Sequence, residues 1–281
     1  MTTRALVLGG GGVAGVAWEV GLLSGWATDG VDVRNADLVV GTSAGSIVGT
    51  LLRTGEDLDT LYERQVGPVP PTEPRVQFDG LAMMTAFGEA LAGVSDQQEA
   101  RVRIGTLALQ ATTVPEAERR AIIAGRIGDP EWPAARLLVT AVDTADGEFV
   151  SFDASAGVRV LDAVAASCAV PSVWPPITIG ERRYMDGGMR SITNADLATG
   201  CDKVLIVTPS AGFPNSPLGP TLEKEVEILS RDADVHIVLA DQAALAAFGT
   251  NPLDPATREP CARAGRAQAE RVAEEIRAFW G

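Results

Sequence analysis

The chain has 281 residues, with 23 Lys and Arg against 37 Asp and Glu, a formal net charge of −14 and an apolar fraction of 46%. The apolar share is enough for a sizeable core and excludes a disordered chain. The acidic balance argues against nucleic-acid binding, which needs clustered Lys and Arg, and disfavours tight docking on anionic lipid, although a transient membrane-surface contact stays open.

Residues 4–8, RALVL, read as a buried strand that runs into four glycines, Gly9 to Gly12. One positive charge precedes that run and the glycines break it at once, so no secretory leader is expected. Val13 to Trp26 follows as a helix, with Val16, Val20, Leu23 and Trp26 along one face. Asp37 to Val40 is a second strand, turning sharply at residues 41–45 (GTSAG) into an apolar helix over Ser46–Leu52. The proline-rich stretch 67–75 opens a mainly helical insertion, about 67–135. In it, Phe78, Leu81, Met84, Phe87 and Leu91 form a stripe that serves either as packing or as a lid over an apolar substrate.

Arg136 to Val142 is a third strand, paired back through Gly147–Phe152. A small-residue helix, Leu161–Cys168, stops before Pro171, Ile177–Tyr184 reads as a hairpin around Gly180, and Lys203–Thr208 is another strand. Residues 211–281 are expected to be a helical extension ending in an amphipathic helix, Pro260–Trp280. Strands alternating with helices imply an α/β layered fold with a mostly parallel sheet, here one domain over 1–281. No apolar run approaches the roughly 20 residues of a membrane helix. Cys168, Cys201 and Cys261 are widely spaced and form no CxxC pair. Neither a disulfide framework nor a thiolate metal site is expected, and a reducing cytoplasm is the default compartment.

Four segments carry candidate chemistry. Gly41-Thr42-Ser43-Ala44-Gly45 matches G-x-S-x-G, a strand-to-helix turn that lifts a serine hydroxyl above the sheet edge. The helix start behind it offers backbone N–H groups to an oxyanion. Gly10-Gly11-Gly12-Val13-Ala14-Gly15 has two readings. Its amides can point at a developing oxyanion, or its G-x-G-x-x-G spacing can hold a dinucleotide, with Asp32 or Asp37 as the ribose acid. Residues 166–171 (ASCAVP) read as dense packing, and Cys168 has no His or Lys nearby in sequence to activate it. Asp186-Gly187-Gly188 alone reads as a turn. The single histidine, His236, must serve any Ser-His mechanism; otherwise a carboxylate must act as the base.

In this order, the four segments resemble the patatin-like phospholipase family, of the bacterial type with a Ser-Asp dyad. The likeness covers roughly residues 4–210. It implies a three-layer α/β/α sandwich with Ser43 as nucleophile and Asp186 as general base. Gly10, Gly11, Gly12 and Ala44 would supply the oxyanion amides, and Gly15, Gly41, Gly45, Gly187 and Gly188 are the motif glycines. The implied activity is hydrolysis of a lipid or small carboxylic ester, with no cofactor, metal or protein partner. A dyad without histidine agrees with the one-histidine count. The family's glycine block carries Arg or Lys just before its last glycine, where this chain has Ala14. That missing charge keeps in view a lipid-binding module of the same fold without activity, and the G-x-G-x-x-G spacing keeps in view a dinucleotide-binding oxidoreductase using the glycine loop.

Overall fold

The RALVL run forms β1 (Arg4–Leu8) at the middle of the sheet in the computed structural model, which describes residues 2–281. Its side chains alternate between two cores. Leu6 and Leu8 face one layer of helices, while Ala5 and Val7 face the other. A strand buried on both faces has no polar side to show, which is why its apolar run is continuous.

The chain then forms α1 (Gly12–Thr28), β2 (Leu38–Gly41), α2 (Ala44–Arg53) and α3 (Leu58–Val66). The insertion contributes α4 (Gly80–Ala90), α5 (Gln97–Gln110) and α6 (Glu116–Ile127). After it come β3 (Arg136–Asp143), β4 (Phe149–Phe152), α7 (Val160–Ser167), β5 (Ile177–Ile179) and β6 (Arg182–Asp186). The last elements are β7 (Lys203–Thr208), α8 (Leu222–Leu229), β8 (Asp234–Leu239), α9 (Gln242–Phe248) and α10 (Arg258–Trp280).

The sheet runs β5-β6-β3-β2-β1-β7-β8, with β4 also on β3. Strands β3, β2, β1, β7 and β8 are parallel, and β4, β5 and β6 join antiparallel. One face carries α1, α2, α3, α6, α7 and α10. The other is covered by α8 and the turn at Ala195–Ala198, and a separate cluster ties α5 to Val142 and Met185. This is the expected α/β/α layering.

Register explains how the two ends of the site meet. Val139 pairs with Gly41 on one edge and Phe152 on the other, while Ala141 pairs with Val150 and Asp186. Because β4 holds one edge at both positions, β2 and β6 share the opposite edge. They approach from opposite directions, and their C-terminal ends face each other two residues apart along β3.

Two expectations are corrected. The segment 211–281 is not only a helical extension: its DVHIVL run, which alternates like a strand around His236, forms β8, the edge strand beside β7. The stripe on α4 is only part of a packing face. Phe87 is buried against α5, whereas Leu81 is 79% exposed and Met84 43% exposed. The contact face is Met83, Phe87 and Ala90, at helical spacing on the side turned to α5, and Leu91 of the stripe, just past the helix, packs there too.

Helix α10 lies tightly on α1. A Cβ on Gly265 would stand 2.3 Å from Trp18 O, and one on Gly21 would stand 2.1 Å from Ala262 O. Trp18 Nε1 donates to Gln268 Oε1 at 3.0 Å across the same contact. Gly265→Val is expected to cost about 2–4 kcal/mol in urea unfolding, because the obstacle is backbone and cannot rotate away. Arg263→Ala, on the exposed side of α10, is expected to change stability by less than about 0.5 kcal/mol.

Candidate active site

Ser43 sits between the end of β2 and the start of α2 with φ 52° and ψ −113°. A positive φ at a residue with a Cβ costs about 1–3 kcal/mol unless its surroundings hold it. Here they do. Its N–H donates to Ser167 Oγ at 2.9 Å, and its carbonyl accepts from Ser46 Oγ at 2.6 Å and Cys168 Sγ at 3.2 Å. The turn also needs Gly45, where a Cβ would stand 2.0 Å from Leu8 O. Segment 166–171 therefore packs as expected and clamps the elbow as well. Burial pushes the Cys168 thiol up to about 11, which leaves it inert as a nucleophile.

Asp186 ends β6 and is buried. Its Oδ1 accepts from Gly188 N–H at 2.8 Å, while Oδ2 has no hydrogen-bond partner. Burial raises the carboxyl to about 6, against the opposing pulls of the Ser43 hydroxyl, the Gly188 N–H and the positive Arg119. The hydroxyl is thus close enough to act on the carboxyl, yet no hydrogen bond of good geometry joins them. Gly187 lies flat on β3, where a Cβ would stand 2.7 Å from Thr140 O.

A buried network ties the two turns together. Thr42 Oγ1 and Thr140 Oγ1 lie 2.9 Å apart. Asn194 Nδ2 reaches Thr42 Oγ1 at 3.1 Å, Gly187 O at 3.2 Å and Ser191 O at 2.8 Å. An amide nitrogen carries two protons, so these acceptors share them. Asn194 itself is left-handed, φ 50° and ψ 38°, a conformation Asn tolerates better than most residues. Beside it, Thr193 Oγ1 donates to Glu225, whose carboxyl burial raises to about 7.

The glycine loop lies against the same spot. A Cβ on Gly10 would come within 3.5 Å of Ser43 Cβ, and one on Gly15 within 3.3 Å of Ala44 Cβ. The Gly10 amide, however, donates to Ile192 O at 2.9 Å. That proton is committed inside the chain, so Gly10 supplies close approach and not an oxyanion donor. Gly11, Gly12 and Ala44 have no such acceptor among the described residues. Neither α1 nor α2 has a side-chain cap, whereas Asp or Thr caps α3, α4, α5, α8 and α9. The first residues of the two helices beside Ser43, Gly12 and Ala44, thus keep their amides open, while Ala14 N–H donates to Pro252 O and Gly45 N–H to Gly9 O.

The dinucleotide reading fails on topology. The glycine loop follows the C-terminal end of β1, while Asp32 and Asp37 precede β2 and lie at the other end of these parallel strands. Asp32 is paired with Arg34, and Asp37 Oδ2 accepts from Arg4 N–H at 2.7 Å. His236 is on β8, separated from β2 by β1 and β7, and lies 3.8 Å from Glu275 and 5.3 Å from the Phe279 ring.

The structure adds one residue that the sequence reading missed. Arg119 on α6 is 2% exposed and lines a small pocket of about 20 Å3 with Ser43, Ala44, Cys168 and Trp174. It belongs to the buried stripe Arg119, Ile122, Ile123 and Ile127, and that helical spacing was the signal available. A larger cavity of about 550 Å3 shares Val13, Ile47 and Arg126 with this pocket and continues along Val16 and Leu51.

The profile described as patatin-like phospholipase matches residues 6–199. Among solved structures, the chain is similar to VipD from Legionella pneumophila, with 12% identity over 98% of this chain and 67% of that one, TM-score 0.46. It is also similar to the type III effector ExoU, with 16% identity over 98% of this chain and 53% of that one, TM-score 0.42. A complex of ExoU with SpcU from the type III secretion system of Pseudomonas aeruginosa gives 16% identity, 99% and 52% coverage and TM-score 0.41. The chain therefore spans about half the length of the ExoU chains. No curated protein matches it.

The raised carboxyl of Asp186 has a stability consequence. A carboxyl with a folded pKa of about 6 and an unfolded value of 3.8 favours the folded state only while it is protonated. Its cost therefore appears as pH rises from about 4 to 6 and is complete above 6, on the order of 2–3 kcal/mol. Asp186→Asn is expected to raise the Tm at pH 8, with the gain vanishing near pH 4. Calorimetry across that range checks it, and an equal gain at both ends contradicts it.

Proposed function

The chain belongs to the patatin-like phospholipase family, and on that premise we propose that it is a serine-dependent acyl hydrolase of lipid or small esters, working through Ser43 and Asp186. The observation that carries this reading is the unpartnered Oδ2 of buried Asp186 beside the strained Ser43, at the open starts of two helices.

Ser43 Oγ attacks the ester carbonyl while its proton passes to Asp186. Charge gathers on the carbonyl oxygen and is met by the amides of Gly11, Gly12 and Ala44, donors fixed before the reaction begins. Collapse expels the alcohol, which takes the proton back from Asp186 and leaves an acyl-serine. Water then attacks the acyl carbon and passes a proton to Asp186; the acyl–Oγ bond breaks, Asp186 returns the proton to Ser43 Oγ, and the acid leaves. A carboxyl near 6 is a better base than an ordinary aspartate and is still ionised at neutral pH. The 550 Å3 cavity has one apolar wall, Val13, Val16, Ile47 and Leu51, that can take an acyl chain, and a charged side with Glu63, Arg64, Glu73, Arg126 and Arg258, so it suits an amphiphilic lipid.

The rival reading is a lipid-binding module that has lost activity, motivated by Ala14. The free amides and the raised Asp186 speak for the catalytic reading, because a binding module needs neither.

A fluorophosphonate probe is expected to label Ser43, as read by intact mass and peptide mapping, and to leave Ser43→Ala and Asp186→Asn unlabelled. A folded wild-type protein that resists the probe contradicts the proposal. On p-nitrophenyl esters, kcat/KM is expected to fall about tenfold per pH unit below pH 6, as the base becomes protonated. His236→Ala is expected to retain wild-type turnover, since β8 lies away from the site.

A further inference from the structure

Arg119 is a buried cation that the proposed chemistry does not use. Its guanidinium stacks on Trp174, 3.9 Å from the ring centroid, and Nη2 donates to Cys168 O at 3.0 Å. Stacking fixes the plane of the group and leaves its edge donors in that plane. Two of those donors, Nε and Nη1, have no partner among the described residues. The charges around it do not neutralise it. Arg126 is itself cationic and is engaged by Glu73. Asp186 is near enough to act on it by charge but makes no direct ion pair with it. Burial pulls Arg119 down only to about 9, so it stays positive at neutral pH.

A buried charge with unused donors is costly, and a ligand that completes it recovers that cost. Nothing inside the chain does so, while the pocket that Arg119 lines also holds Ser43. The glycine loop, meanwhile, carries Ala14 and no cation. We propose that Arg119 reads an anionic group on the substrate, a phosphoryl or carboxylate oxyanion close to the ester that Ser43 attacks. The substrate class is then an anionic amphiphile, with its oxyanion taken by Nη1 and its acyl chain along the apolar wall of the larger cavity. The pocket of about 20 Å3 has room for little more than a water, so admitting the group requires its wall, which includes Pro74 and Val76 of the proline-rich strap, to give way.

This rests on the acyl hydrolase reading, so the test includes a binding arm that does not depend on turnover. Hydrolysis is compared for 1-acylglycerol 3-phosphate and the matching monoacylglycerol, in wild type, Arg119→Gln and Arg119→Lys. Gln is expected to lower kcat/KM on the phosphate ester about 10- to 100-fold more than on the neutral ester, through KM. Lys, with the charge but not the planar guanidinium donor, is expected to fall between. In the binding arm, calorimetry follows octyl phosphate on Ser43→Ala with and without Arg119→Gln, and affinity is expected to drop by the same factor. Inorganic phosphate is expected to bind far more weakly than octyl phosphate.

Equal losses on both esters overturn the proposal, as does octyl phosphate affinity that ignores the Gln substitution in a protein of unchanged Tm. Equal affinities for inorganic and octyl phosphate assign the site to free phosphate and overturn the substrate class. If neither ester is hydrolysed, the Ser43 reading fails and the octyl phosphate arm alone decides Arg119. If the Gln variant does not fold, the Lys variant carries the comparison, and a Lys protein with wild-type preference in both arms overturns the proposal.

Discussion

The site depends on two strand ends meeting head-on along one edge of β3. Strand β2 stops opposite Val139 and β6 arrives from the other direction to stop opposite Ala141. Neither strand can run one residue further without collision, so both chains must turn out of the sheet at the same place. The turn after β2 raises Ser43 and the end of β6 presents Asp186. The Thr42, Thr140 and Asn194 network then holds the two turns in one register. Glycine is needed at Gly45 and Gly187 because backbone from a neighbouring segment lies where a side chain would be.

The arrangement runs against stability at several points. Ser43 is strained, and Asp186 and Glu225 are carboxyls that burial pushes upward. Glu19, fully buried on α1 with both oxygens unpartnered, is pushed up as well. Each such group costs about 1–3 kcal/mol. The helix layer opposes them with Trp18, Trp26, Leu22 and Leu23, all fully buried, each worth about 1.5–3 kcal/mol. The costly groups cluster around one spot, and the apolar packing that offsets them lies mostly on α1, α2 and α10.

Local patterns in the sequence are faithful where one element sets its own face. The RALVL run, the elbow helix and the hairpin at Ile177–Tyr184 all form as read, because their apolar periods are strong and their turns carry glycine. Ser43 was legible from its own motif. Asp186 was not, since an Asp-Gly-Gly turn has no local mark of chemistry, and only its place in an ordered set of segments pointed to it. Long-range facts were hidden. No spacing says that Ile192 takes the Gly10 proton, or that β6 docks on the edge left by β2. Arg119 was overlooked because an arginine in a charged helix is usually solvated, although its spacing to Ile122 and Ile123 placed it inside.

The glycine loop leans on the far end of the chain. A Cβ on Gly12 would strike Pro252 O at 2.8 Å, and Ala14 N–H donates to that same carbonyl at 2.9 Å. The family match ends at residue 199, yet the carbonyl that braces the loop comes from beyond it. The inheritable motif set and the working unit therefore have different borders. In this chain, replacing everything after β7 therefore calls for another prop at this carbonyl's position, and recombination at the family border separates the loop from its support.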